Sequence, residues 1–121
     1  MRYEEKSIDE AWNLIIEGIG NEVREFNTVP KTKKQPVWFS AVVSGNNIII
    51  DRAQNNEPSS KISTKRRLDF GDFKKVYPLA IRRKLGESVS AEVTAATRNQ
   101  VYYFALIEHL VFYKINNRSE A

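Results

Sequence analysis

Residues 37–52, VWFSAVVSGNNIIIDR, decide the fold. Two runs rich in β-branched and aromatic residues flank Gly45-Asn46, a dipeptide able to supply the positive φ values that a two-residue hairpin turn requires. A β-hairpin is predicted. Its period of two puts Val37, Phe39, Ala41 and Val43 on one face and Trp38, Ser40, Val42 and Ser44 on the other. Both faces are largely apolar, which sets the hairpin inside a layered fold. Asp51 and Arg52 are expected to close it as a surface ion pair.

Upstream, Ser7 to Glu10 (SIDE) reads as a capping box and predicts the start of a helix. Ile8, Trp12, Ile15, Ile19, Val23 and Phe26 then recur at steps of three or four and draw one apolar stripe. Gly18 and Gly20 each weaken that helix by about 1 kcal/mol against Ala, so a bend or restart is expected near Asn21. Residues 27–36, NTVPKTKKQP, form a loop between Pro30 and Pro36.

Downstream, the polar loop AQNNEPSS (53–60) precedes KISTKRRL (61–68). Ile62, Thr64 and Leu68 alternate there with Lys61, Ser63, Lys65 and Arg67, while Arg66 falls on the apolar side. A third strand with a basic outer face is predicted, and such a face also suits an edge strand that must avoid pairing with another chain. From Asp69, a capping residue, Phe70, Phe73, Tyr77, Ile81 and Leu85 take helical spacing until Gly86. Pro78 predicts a kink or two short helices. The remainder allows two readings. Either Ser90 caps one long helix, or a short helix at 91–96 precedes a second one capped by the box Thr97 to Gln100. Val93, Ala96, Val101, Phe104, Ile107 and Val111 are buried in both. The expected fold is a single α+β domain: an N-terminal helix, a small antiparallel sheet (hairpin plus third strand), a kinked helix and a C-terminal helix or helix pair, with the helices on one face of the sheet.

The segments DFKKVYPLAIRRKLGE (72–87) and TRNQVYYFALIEHL (97–110) resemble small bacterial proteins carried on mobile integron gene cassettes. That resemblance, covering residues 69–110, implies a bacterial cytoplasmic α+β protein that self-associates. It assigns no catalytic residue.

Composition narrows the chemistry. The 121-residue chain has no cysteine and one histidine, His109, so thiolate chemistry, disulfides and Cys- or paired-His metal sites are excluded. No metal and no cofactor is expected. GIGNEV follows a helix rather than a strand, the wrong context for a dinucleotide fingerprint. A nuclease built on Asp51, Glu57 and Lys61 is the one catalytic alternative, but the Glu-x-Lys spacing that would share a strand face is missing. No apolar run reaches the ~18 residues of a membrane span, and the acidic start does not fit a secretory signal. A cytoplasmic protein with no membrane partner is expected.

Charge is uneven along the chain. Residues 1–30 hold three basic and seven acidic side chains (net −4), residues 31–84 thirteen and four (net +9), and residues 85–121 three and four (net −1). Clustered cations attract phosphates and release counterions. The leading functional expectation is therefore a non-enzymatic nucleic-acid-binding protein. Lys31, Lys33, Lys34, Lys65, Arg66, Arg67, Arg82, Arg83 and Lys84 would meet phosphates, and Arg98, Asn99 and Gln100 would reach toward bases. SAEVTAAT followed by RNQVYYFALIEHL has the outline of a helix-turn-helix without its glycine-bearing turn. The alternative is a homodimeric or partner-binding module, suggested by aromatic residues such as Trp38, Tyr102, Tyr103, Phe112 and Tyr113 in excess of one helix stripe.

Overall fold

The computed structural model of the protein describes residues 7–30 and 35–113. The capping box forms: Glu10 N donates to Ser7 Oγ and Ser7 N donates to Glu10 Oε1, opening helix α1, Ile8–Ile19. Two orphan donors of the first turn are thereby satisfied. The helix stops at Gly20, whose φ of 74° only glycine adopts cheaply and whose N–H closes on Ile16 O. The predicted stripe therefore ends early. Phe26 belongs instead to strand β1, Arg24–Asn27, and Val23 is 65% exposed. The three- and four-residue recurrence continued past the point where glycine had already turned the chain, and pairing with the neighbouring strand prevailed over helical spacing.

The hairpin forms as strand β2, Trp38–Ser44, and strand β3, Asn47–Arg52, with Gly45 at φ 63° in its turn. Strand β4 is only Arg66–Leu68. The four strands make an antiparallel meander in the order β1-β2-β3-β4, with Phe26 opposite Phe39, Ala41 opposite Ile50, and Ile48 opposite Leu68. The predicted third strand is shortened because the chain at 58–60 is drawn to β2: Trp38 N donates to Pro58 O and Ser60 N to Trp38 O. The expected Asp51–Arg52 ion pair does not form. Asp51 Oδ1 accepts from Arg52 N, while the Arg52 guanidinium donates to Ile62 O at 2.6 Å.

Asp69 caps helix α2, Phe70–Lys84, by accepting from Asp72 N. The helix runs continuously through Pro78 rather than splitting in two. Pro78 and Lys74 are both exposed, so the carbonyl that proline cannot serve faces water. Leu85 is exposed and Gly86, at φ 99°, follows it. The C-terminal segment adopts the two-helix alternative: α3, Ser90–Ala96, then α4, Gln100–Ile107, continued by a π-helical turn over Glu108–Phe112. Neither expected cap is made. Val89 precedes α3 without a side-chain bond, and Thr97 Oγ1 accepts from Asn99 N rather than from Gln100.

The helices cover the face of the sheet that carries Phe26, Phe39, Ala41, Ile48, Ile50 and Leu68, all buried. Phe39 meets Tyr102 edge-on, Phe73 stacks on Tyr77, and Trp12 lies against Phe73. Gly18 lets α1 approach the π-helical turn: a Cβ there would lie 2.7 Å from Leu110 Cδ2. His109 Nε2 donates to the Asn27 carbonyl, securing the outer strand. This is an α+β fold, and among the described residues no helix is long and apolar enough to cross a membrane.

The Tyr103 hydroxyl accepts from Asp69 N and donates to Asp69 O, both at 3.0 Å, where β4 turns into α2. Burial pushes its pKa up, so it stays neutral and serves both bonds. Tyr103→Phe leaves both Asp69 backbone groups without this partner and is predicted to cost about 1–3 kcal/mol in urea unfolding, with an unchanged m-value.

Candidate nucleic-acid interface

Strand β4 sets the geometry of the basic region. Arg66 pairs with Ile50 and Arg67 with Ile49, so their side chains leave opposite faces of the sheet. Arg66 turns toward the helices, where its Nη1 donates to Asn99 Oδ1 at 2.9 Å. That bond joins β4 to the α3–α4 junction across 33 positions of sequence. Lys65 and Arg67 flank Arg66, and Arg98 precedes Asn99, each a single peptide step of ~3.8 Å in Cα spacing from the bonded pair. Lys65, Arg67 and Arg98 are exposed, and among the described residues none of them has an ion-pair partner.

The basic block at the end of α2 is placed differently. Arg82 donates to Glu87 at 3.0 Å and, through both terminal nitrogens, to Glu92 at 2.7 and 3.0 Å. Those hydrogen bonds, Glu92 first, raise the Arg82 pKa, and the Arg82 bond in turn lowers that of Glu92. Lys84 is paired with Glu108 and lies over the Phe112 ring. Arg83 donates to Val29 O at 2.9 Å and stacks on Phe104. These three cations are engaged within the chain and do not join the β4 group. The expectation grouped them because it counted charge by stretches of sequence, and Glu87, Glu92 and Glu108 come from the stretch that follows. Lys31, Lys33 and Lys34 lie outside the described residues.

The base-reading expectation also changes. Asn99 spends its side-chain oxygen on Arg66. Gln100, with its amide nitrogen turned toward the carbonyls, donates to Thr97 O and Arg98 O. A helix that reads a groove must present one face to it. In α4 every residue from Tyr102 to Ile107 is buried, so only its first turn, with Val101 49% exposed, reaches the surface. The helix-turn-helix outline is thus a core helix, α4, preceded by a surface helix, α3, that buries Val93 and packs on α2.

One feature carried no sequence signal beyond the asparagine pair in AQNNEPSS. The loop after β3 crosses the second face of β2 and clasps Glu25. The carboxylate accepts from Gln54 N and Asn55 N through Oε2, and from Asn56 N and Asn56 Nδ2 through Oε1, at 2.7–3.0 Å. Beside it, a cleft of about 560 Å³ is floored by Ser40, Val42 and Ile49 and rimmed by Asp51 and Lys65; among the described residues no helical one lines it. Glu25 and Asp51 outnumber Lys65, the one cation among the described lining residues, so the cleft itself is not a phosphate trap. Among the described residues no group of three or more His, Asp or Glu is placed to hold a metal ion. Comparisons with models of known families, with curated proteins and with solved structures find no match to this chain.

Loss of water around Glu25 pushes its pKa up, but the four N–H donors outweigh it and hold the carboxyl below its ordinary 4.5. A lowered folded-state pKa stabilises the protein above the unfolded value and loses that contribution as pH falls through the folded one. Glu25→Gln is therefore predicted to destabilise by on the order of 1 kcal/mol at pH 7, a screened site keeping the effect small. The gap from the unaltered protein should close below pH 4.5 in pH-dependent thermal unfolding.

Proposed function

We propose that the protein is a non-enzymatic nucleic-acid-binding domain whose phosphate-contacting surface is the β4 edge together with the α3–α4 junction. The observation that carries this reading is the Arg66–Asn99 hydrogen bond, which sets the α3–α4 junction, with Arg98, against the helix-covered side of β4, whose other side carries Lys65 and Arg67. Arg67 and Arg98 are exposed without an ion-pair partner among the described residues, and Lys65, equally unpaired, shares its cleft with Asp51. The net +4 of the whole chain supplies the longer-range attraction. Arg66 acts as a positioning residue, since its own guanidinium is turned inward. Binding of this kind rests on backbone contacts, so it discriminates weakly between sequences.

Fluorescence anisotropy with a mixed-sequence duplex and a single strand, across a salt series, tests the proposal. Affinity is expected to fall linearly in log K against log salt. Each of Lys65→Gln, Arg67→Gln and Arg98→Gln should weaken binding to all sequences alike and reduce the slope by about 1. Arg82→Gln and Lys84→Gln, whose charges are already paired, should leave the slope unchanged. Absence of binding at about 50 mM salt, or equal losses from the paired and unpaired cations, would contradict the assignment.

A further inference from the structure

A second cavity, of about 280 Å³, lies between residues 28–30, Gln35 and Val37, the end of α2 and the start of α4. Val29, Pro30, Val37, Val101 and Phe104 give it apolar walls. Among the described residues that line it, Arg83 is the one cation. Arg83 spends one guanidinium N–H on Val29 O and rests 4.6 Å from the Phe104 ring centroid, so its plane is held by a hydrogen bond and a stacking contact. Its remaining N–H groups are donors without a partner among the described residues. Burial pushes its pKa down while the charge of Glu108 works in the other direction, and Glu108 is itself bonded to Lys84. A lining pair of hydroxyls, Ser60 Oγ and Tyr102 Oη, share one hydrogen bond of 2.9 Å.

We propose that this cavity binds a small monocarboxylic acid with an apolar body. A carboxylate matches the planar donor fork of an arginine that is already oriented. The half-dehydrated cation gains from a negative charge placed against its remaining N–H groups. The apolar walls take the body of the ligand, and at ~30 Å³ per water volume the space suits about ten non-hydrogen atoms. Arylacetates and short branched fatty acids have this size and polarity. The site is separate from the β4 surface and does not depend on nucleic-acid binding.

The test is an NMR titration of the isotopically labelled full chain with phenylacetate and, in parallel, with its neutral isostere phenylacetamide. Phenylacetate is expected to give saturable shifts centred on the amides of Val29, Val37, Val101 and Phe104, with the amide binding about tenfold more weakly or worse. Arg83→Gln should bring phenylacetate down to the level of the amide. Val101→Trp, at a wall position that is 49% exposed, should weaken both ligands. Unsaturable shifts, equal affinity for the two ligands, or shifts centred on Lys65 and Arg98 would overturn the proposal. Should Arg83→Gln unfold, the ligand pair measured on the unaltered chain decides alone.

Discussion

Six consecutive buried residues, Tyr102 to Ile107, make α4 the element around which the others are arranged. A surface helix buries one stripe, whereas a helix buried all round must have neighbours on every side. Those neighbours are the sheet, through Phe39 against Tyr102, and the β4–α2 corner, through Tyr103 on Asp69. At its far end the π-helical turn meets Gly18 of α1 and, by way of His109, the carbonyl of Asn27 on the outer strand. With α4 fixed, Asn99 at its start is fixed too, and so is the contact that carries the candidate interface.

The same burial explains why the chain cannot use α4 as a groove-reading helix. Its apolar sequence, QVYYFALI, has almost no amphipathic character, and a helix without a polar face belongs to a core. The proposed interface accordingly lies at the periphery, on the edge strand and the α3–α4 junction. That is the usual division between a rigid scaffold and the loops that carry binding. Salt bridges at the end of α2 fit the same pattern. Arg82 and Lys84 reach carboxylates on the α2–α3 loop, α3 and the π-helical turn, steadying the helical layer rather than offering charge to a ligand.

Much of the architecture was legible in the sequence, and the reasons are local. The Ser7 capping box, the Gly45-Asn46 turn, the Asp69 cap and the placement of Arg66 on the apolar side of its strand all follow from residues within a few positions of one another. What escaped was long-range. Strand β1 is a strand because β2 had an edge to fill, and β4 is short because Trp38 captured residues 58–60. Of the candidate site, Lys65, Arg67 and Arg98 could be named from charge alone, but only the Arg66–Asn99 contact relates their two segments. The engagement of Arg82, Arg83 and Lys84 depends on partners that lie up to 54 residues away, which no charge count along the chain reports. Arg83 became the most interesting of the three for a reason invisible in the sequence: its setting is a cavity, not a surface.

Hydrogen exchange followed residue by residue tests the central place of α4 most directly. Amides of residues 103–107 should fall in the slowest class, exchanging only through global unfolding, and added duplex DNA should leave their ranking unaltered while the signals around Lys65 and Arg98 respond. Fast exchange of α4 through local opening, or a response to DNA centred on that helix, would contradict the account.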